Sequence, residues 1–116
     1  RSSLTSPNGF FHKMVNLESR SFSLQIQKFE NGYFISVTEG SNKLGSMVVS
    51  LATGPTPITT TIIPSRSESL FLKLVSERIS TLMRGIALVS AFIQKPLESN
   101  TAKGLMSEIM EMIENE

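Results

Sequence analysis

The sequence predicts an α+β domain: an antiparallel β-meander or sandwich of about six strands with two helices, in the order β-β-β-β-β-α-β-α. Three observations carry this. Alternating and β-branched apolar segments fill residues 10–63, the apolar period turns helical after Pro64, and one further apolar run separates that helix from a second amphipathic segment.

The opening residues, RSSLTSPNG, are small and polar and contain Pro7 and Gly9, so residues 1–9 read as a flexible leader and residues 10–116 as a single domain. The chain begins at Arg1 and not at methionine, so an upstream piece is expected before it. The runs FFHKMVNL and SFSLQIQKF bracket the polar cluster ESR. In the second run Phe22, Leu24 and Ile26 share one face, with Ser21, Ser23, Gln25 and Gln27 on the other, the mark of a half-buried strand. Glu30–Gly32 reads as a tight turn, since Asn and Gly tolerate positive φ, and YFISVTE continues as a third strand.

The stretch TEGSNKLG, from Thr38 to Gly45, reads as a hairpin connection into the strand SMVVSLA. After TGPTP, the run Ile58–Ile63 is β-branched throughout, which disfavours a helix and suits a pleated surface. Ser65 and Glu68 stand at the spacing of a capping box, so a helix is expected to start there. Its apolar stripe is Phe71, Leu74, Val75, Ile79, Leu82 and Met83, with Lys73, Ser76, Glu77, Ser80 and Arg84 opposite and Gly85 as the stop. Ile86–Ile93 is apolar on both alternating faces and reads as a central strand covered on both sides. The last helix turns Leu105, Ile109, Met112 and Ile113 inward and Glu108, Glu111 and Glu114 outward. Two helices cover one face of such a sheet. Either the sheet folds over itself or a partner protein covers the other face.

Composition excludes several functional classes. The absence of cysteine removes disulfides, thiolate metal sites and a cysteine nucleophile, and fits a cytoplasmic location, with the nucleus as a second compartment. A net charge of +1 without basic–aromatic runs gives no expectation of nucleic-acid binding, and no apolar run reaches the roughly 20 residues that span a membrane. There is no aspartate, and the lone His12 has no second histidine, so neither a catalytic set nor a metal site nor a cofactor is expected. The separation of Gly40 and Gly45 matches that of a phosphate-binding loop, but Ser46 and Met47 follow in place of the Lys-Ser/Thr pair, and a strand in place of a helix. Ser65, Ser67 and Ser69 beside Arg66 form a possible phosphorylation cluster, although helix capping already accounts for serine there.

The order of several local strings resembles the proteasome assembly chaperones, the third type more than its fourth-type partner, over about Phe10 to Ile113. The matching features are Thr38, the Lys43-Leu44-Gly45 closure, Val49-Ser50-Leu51, then Pro57, Thr59 and Thr60, and the helix start at Glu68 and Leu70. The resemblance implies a non-enzymatic chaperone that acts as a dimer with the fourth-type homologue or with itself, binds alpha-type proteasome subunits and promotes alpha-ring formation. Candidates for the dimer surface are Phe34, Val48, Leu88 and Phe92, and Ser41, Asn42 and Lys43 form a candidate client-contact loop. A generic scaffold module and a small nucleotide-binding domain built on Gly40–Gly45 are the alternatives.

Overall fold

A computed structural model of the chain describes Leu4–Thr5 and Gly9–Asn115. It contains strands β1 (Leu4–Thr5), β2 (Phe10–Leu17), β3 (Arg20–Phe29), β4 (Gly32–Thr38), β5 (Ser46–Leu51) and β6 (Ile58–Ile63), helix α1 (Ser69–Met83), strand β7 (Ile86–Phe92) and helix α2 (Ser99–Glu114). The α+β class and the order of the six longer strands and two helices agree with the sequence. Of the expected leader, residues 1–3 and 6–8 lie outside the described residues, while Leu4 and Thr5 pair with His12 and Phe11.

All strands join one sheet in the order β1-β2-β3-β4-β7-β5-β6. The strands are antiparallel except β4 and β7, which run parallel with Ile35 beside Val89. Because β7 inserts between β4 and β5, the Thr38–Gly45 segment is not a hairpin: it crosses the end of β7. Its glycines serve that crossing. Gly40 adopts a φ of +87°, a conformation costly for other residues. A Cβ on Gly45 would lie 2.1 Å from the carbonyl oxygen of Ala91, so only glycine lets the chain pass the β7 backbone. Gly45→Ala should therefore destabilise the fold by about 2 kcal/mol or more, measurable as a lowered urea midpoint with unchanged slope.

The turns also differ from the sequence reading. Positive φ occurs at Glu18 and Ser19, between β2 and β3, and not in the Asn31–Gly32 turn. Two consecutive left-handed residues give the twist a two-residue hairpin favours. The left-handed residue closing α1 is Arg84, φ 57°, and the Gly85 N–H then reaches the Ser80 carbonyl at 3.0 Å.

Both helices lie on one face of the sheet, α1 over β5 and β7 and α2 over β2. Between them and the sheet sits the core, built on Phe22, Leu24, Ile26, Ile35, Val37 and Val89, with Val75 and Ile79 from α1 and Leu105 and Ile109 from α2. Lys13 also points to this side and holds Glu108 of α2 at 2.5 Å. Leu105, Ile109, Met112 and Ile113 are buried as the spacing predicts.

Helix α1 is rotated from its expected orientation. Leu72, Ser76 and Ser80 are buried, while Leu74 and Leu82 are half exposed at 50% and 53%. Small side chains let the helix approach the sheet closely, and the serines lose no hydrogen bonds by burial. Ser76 Oγ donates to the Lys73 carbonyl and Ser80 Oγ to the Glu77 carbonyl, within their own helix turn. Ser50 Oγ of β5 adds a bond to Ser76 at 2.8 Å and meets Thr59 of β6, which donates to Glu77. The capping box does not form. Helix α1 starts at Ser69, Ser65 Oγ has no hydrogen-bond partner, and the Glu68 carboxylate accepts from Ser46 and Ser67.

Candidate interaction surface

The helix-free face of the sheet is the candidate surface, and register shows which side chains it holds. Side chains alternate across a strand, and those of paired residues share a face. Leu88 is paired with Phe34 of β4 on one side and Val49 of β5 on the other. Ile86 is likewise beside Leu51, which pairs in turn with Ile58. Together with Phe92, these residues form an apolar field across β4, β7, β5 and β6, opposite the helices. Phe34, Val49, Ile86, Leu88 and Phe92 are half-buried, and Leu51 and Ile58 exposed. On β3 the same face is polar through Ser23, Gln25 and Gln27, and His12 of β2 meets Ser23 Oγ at 2.9 Å as an ordinary strand histidine. The face therefore has an apolar half and, on β3, a hydroxyl-and-amide band, beyond which Phe10 and Met14 of β2 stand exposed.

One end of the apolar half is bordered by the crossing segment. Ser41, Asn42 and Lys43 are exposed there, with Lys43 Nζ 5.5 Å from the centroid of the Phe92 ring, a cation–π contact between loop and sheet face. The root of the loop is held by a buried ion pair. Arg20 grips Glu39 in two-pronged fashion, Nε to Oε2 at 2.9 Å and Nη2 to Oε1 at 2.7 Å, and donates also to the carbonyls of Lys95 and Pro96. The Gln94 backbone N–H donates to Glu39 at 2.8 Å, and its side-chain amide to the Glu39 carbonyl. Hydrogen bonding from Arg20 holds the Glu39 carboxyl below its usual range, against the opposing pull of burial. This clip fastens the β2–β3 turn, the end of β4 and the segment after β7 into one support for the exposed loop.

Of the four residues expected on a dimer surface, the structure brings Phe34, Leu88 and Phe92 together on the open face. Val48 does not join them. It points toward the helices beside Val89, is 4% exposed and belongs to the core. Alternation within β5 cannot show this, because it leaves parity free; the pairing with β7 decides it. The same uncertainty hid Val49, Leu51 and Ile58. Lys43 is engaged with an aromatic ring, and the segment bearing it leads into a strand, so no helix N-terminus meets the loop.

The sequence model of the family described as proteasome assembly chaperone 4 matches residues 21–91, more than half of the chain. The chain belongs to the proteasome assembly chaperone 4 family. The matched stretch runs from β3 nearly to the end of β7, so it contains the crossing loop and most of the open apolar face, while α2 lies beyond it. Of the two types weighed from the sequence, the match thus carries the description of the fourth. No curated protein sequence matches the chain. A chain in the crystal structure of a novel chaperone complex for yeast 20S proteasome assembly has the same fold as this proteasome assembly chaperone 4 family member, with a TM-score of 0.65 at 8% identity over 91% of this chain and 94% of that one.

Proposed function

We propose that the chain is a non-enzymatic assembly chaperone whose open sheet face makes a stable pair and whose crossing loop meets alpha-type proteasome subunits, promoting alpha-ring formation in the cytoplasm and nucleus. The pair consists of one chaperone of the third and one of the fourth type, or of two copies of this chain. The observation that carries the reading is the uncovered apolar half-face, with Leu88 flanked by Phe34 and Val49. An apolar patch of this continuity favours burial against a partner, and its polar flank on β3 resembles the rim of an interface. The loop at its edge is exposed and rigidly based, which suits a weaker contact that is made and released.

Affinity capture of the tagged protein from cell extract, followed by mass spectrometry, tests the client. Alpha-type subunits are expected without beta-type subunits. Their absence, or recovery of complete particles alone, would count against the assembly role. The pairing is tested separately by sedimentation of the purified chain alone and mixed in turn with a third-type and a fourth-type homologue: a species of twice the monomer mass is expected in at least one case.

A further inference from the structure

Among the described residues, Leu4–Thr5 of β1 forms one edge of the sheet, and the six residues Ile58–Ile63 of β6 form the other. One side of β6 pairs with β5, and its outward N–H and C=O groups have no backbone partner among the described residues. Edge strands are commonly guarded by charged side chains, inward proline or covering elements. The β6 run, ITTTII, carries no charge, its prolines, Pro57 and Pro64, stand outside the strand, and the bulge in its pairing with β5 falls at Ile62, beyond the regular stretch from Ile58 to Thr61. Such an edge is built to accept another strand.

Beside this edge a second feature specifies what the added strand carries. A cleft of about 360 Å³ opens between β6 and α1, lined among others by Val48, Thr59, Thr61, Ser65, Leu70 and Lys73. Thr59 and Thr61 alternate along β6, so the cleft follows the helix-side row of the edge. A strand laid against β6 would place every second side chain toward it. Val48 and Leu70 supply apolar walls, Ser65 Oγ is buried with no hydrogen-bond partner, and Lys73 makes no ion pair among the described residues. Main-chain pairing along an edge with alternate side chains entering neighbouring pockets is the chemistry of strand addition.

We propose that the free edge of β6 is a strand-addition site, at which an extended segment of a partner protein pairs with Ile58–Ile63 and directs alternating small apolar and acidic side chains into the cleft beside Lys73. The occupant is not a second copy of this edge. Ile58–Ile63 contains no acidic residue to meet Lys73, and a two-fold pairing of β6 with itself would bring the two Lys73 side chains toward one another. This site is separate from the open face and does not depend on the pairing made there.

The test uses the intact chain and a labelled synthetic peptide, Val-Thr-Glu-Thr-Val-Thr-Glu, followed by fluorescence anisotropy. Two further versions carry backbone N-methyl groups on one or the other alternate set of residues. Strand addition uses only one edge of the peptide, so one set should weaken binding by about tenfold or more and the other by no more than about twofold. Lys73→Glu, an exposed substitution, should weaken the acidic peptide several-fold, and a version with lysine replacing glutamate should prefer that variant. Absence of saturable binding at millimolar peptide, or equal loss with both methylated versions, would overturn the proposal. So would sedimentation in which Thr61→Lys, a change on the helix-side row of the edge and away from the open face, turns a dimer of this chain into monomers, since the edge would then belong to a second copy.

Discussion

Replacing Arg20 with alanine is expected to lower the stability of the chain by about 3–5 kcal/mol, the usual result of removing one partner from a buried ion pair. Glu39, 8% exposed beside Arg20, would keep the Gln94 N–H but lose both guanidinium bonds. The loss has two parts: the missing bonds, and a carboxylate left in a poorly solvated place. Urea titration measures it directly. Replacing both partners together, Arg20→Met with Glu39→Leu, should recover much of the loss, because two apolar side chains of similar bulk leave no charge uncompensated. If Arg20→Ala shifted the midpoint no more than an exposed arginine does, the clip would not hold the fold.

The same pair gives the chain a defined acid sensitivity. Glu39 titrates lower in the folded state than in the unfolded chain, so its contribution to stability is present in full above the unfolded carboxylate range. As pH falls, the unfolded chain takes up this proton first, and stability declines until pH has passed below the folded-state value. The Arg20→Ala variant should show a shallower decline over that range. Because the clip roots the crossing loop, its loss should also loosen Ser41–Lys43, visible as faster amide exchange there than in the β3–β4 core.

How far the sequence predicted this arrangement depended on whether a feature was local. Strands such as Arg20–Phe29 announce themselves through alternation, and α2 through helical spacing, because burial acts on one face at a time. Strand order is another matter. Nothing within Ile86–Phe92 tells that it inserts between β4 and β5, and without that insertion Thr38–Gly45 reads as a hairpin and Val48 as surface. The error in α1 has a different source. Serine counts as polar in any periodicity, yet Ser76 and Ser80 satisfy themselves within the helix and permit close contact with the sheet, which turns Leu74 and Leu82 outward. The Arg20–Glu39 clip joins residues 19 positions apart through strand pairing, and a long charged side chain carries no sign in sequence of whether it will be buried.

Leu88→Glu should abolish the proposed pairing, with a loss of association of about 100-fold or more, while leaving the monomer folded. The position is chosen by register: Leu88 lies between Phe34 and Val49, at the middle of the apolar field, and is half-buried in the isolated chain. Solvent already reaches it there, so a carboxylate remains hydrated in the monomer, but a partner sheet would have to strip that water without offering a compensating charge. A charge introduced on the polar band, Gln25→Glu, should cost far less, because a polar rim tolerates solvent. Sedimentation across a range of concentrations distinguishes the two variants, and circular dichroism checks that each stays folded. Equal weakening by both would mean that the apolar half and the polar band do not differ as interface centre and rim, and no weakening by Leu88→Glu would move the pairing surface away from the open sheet.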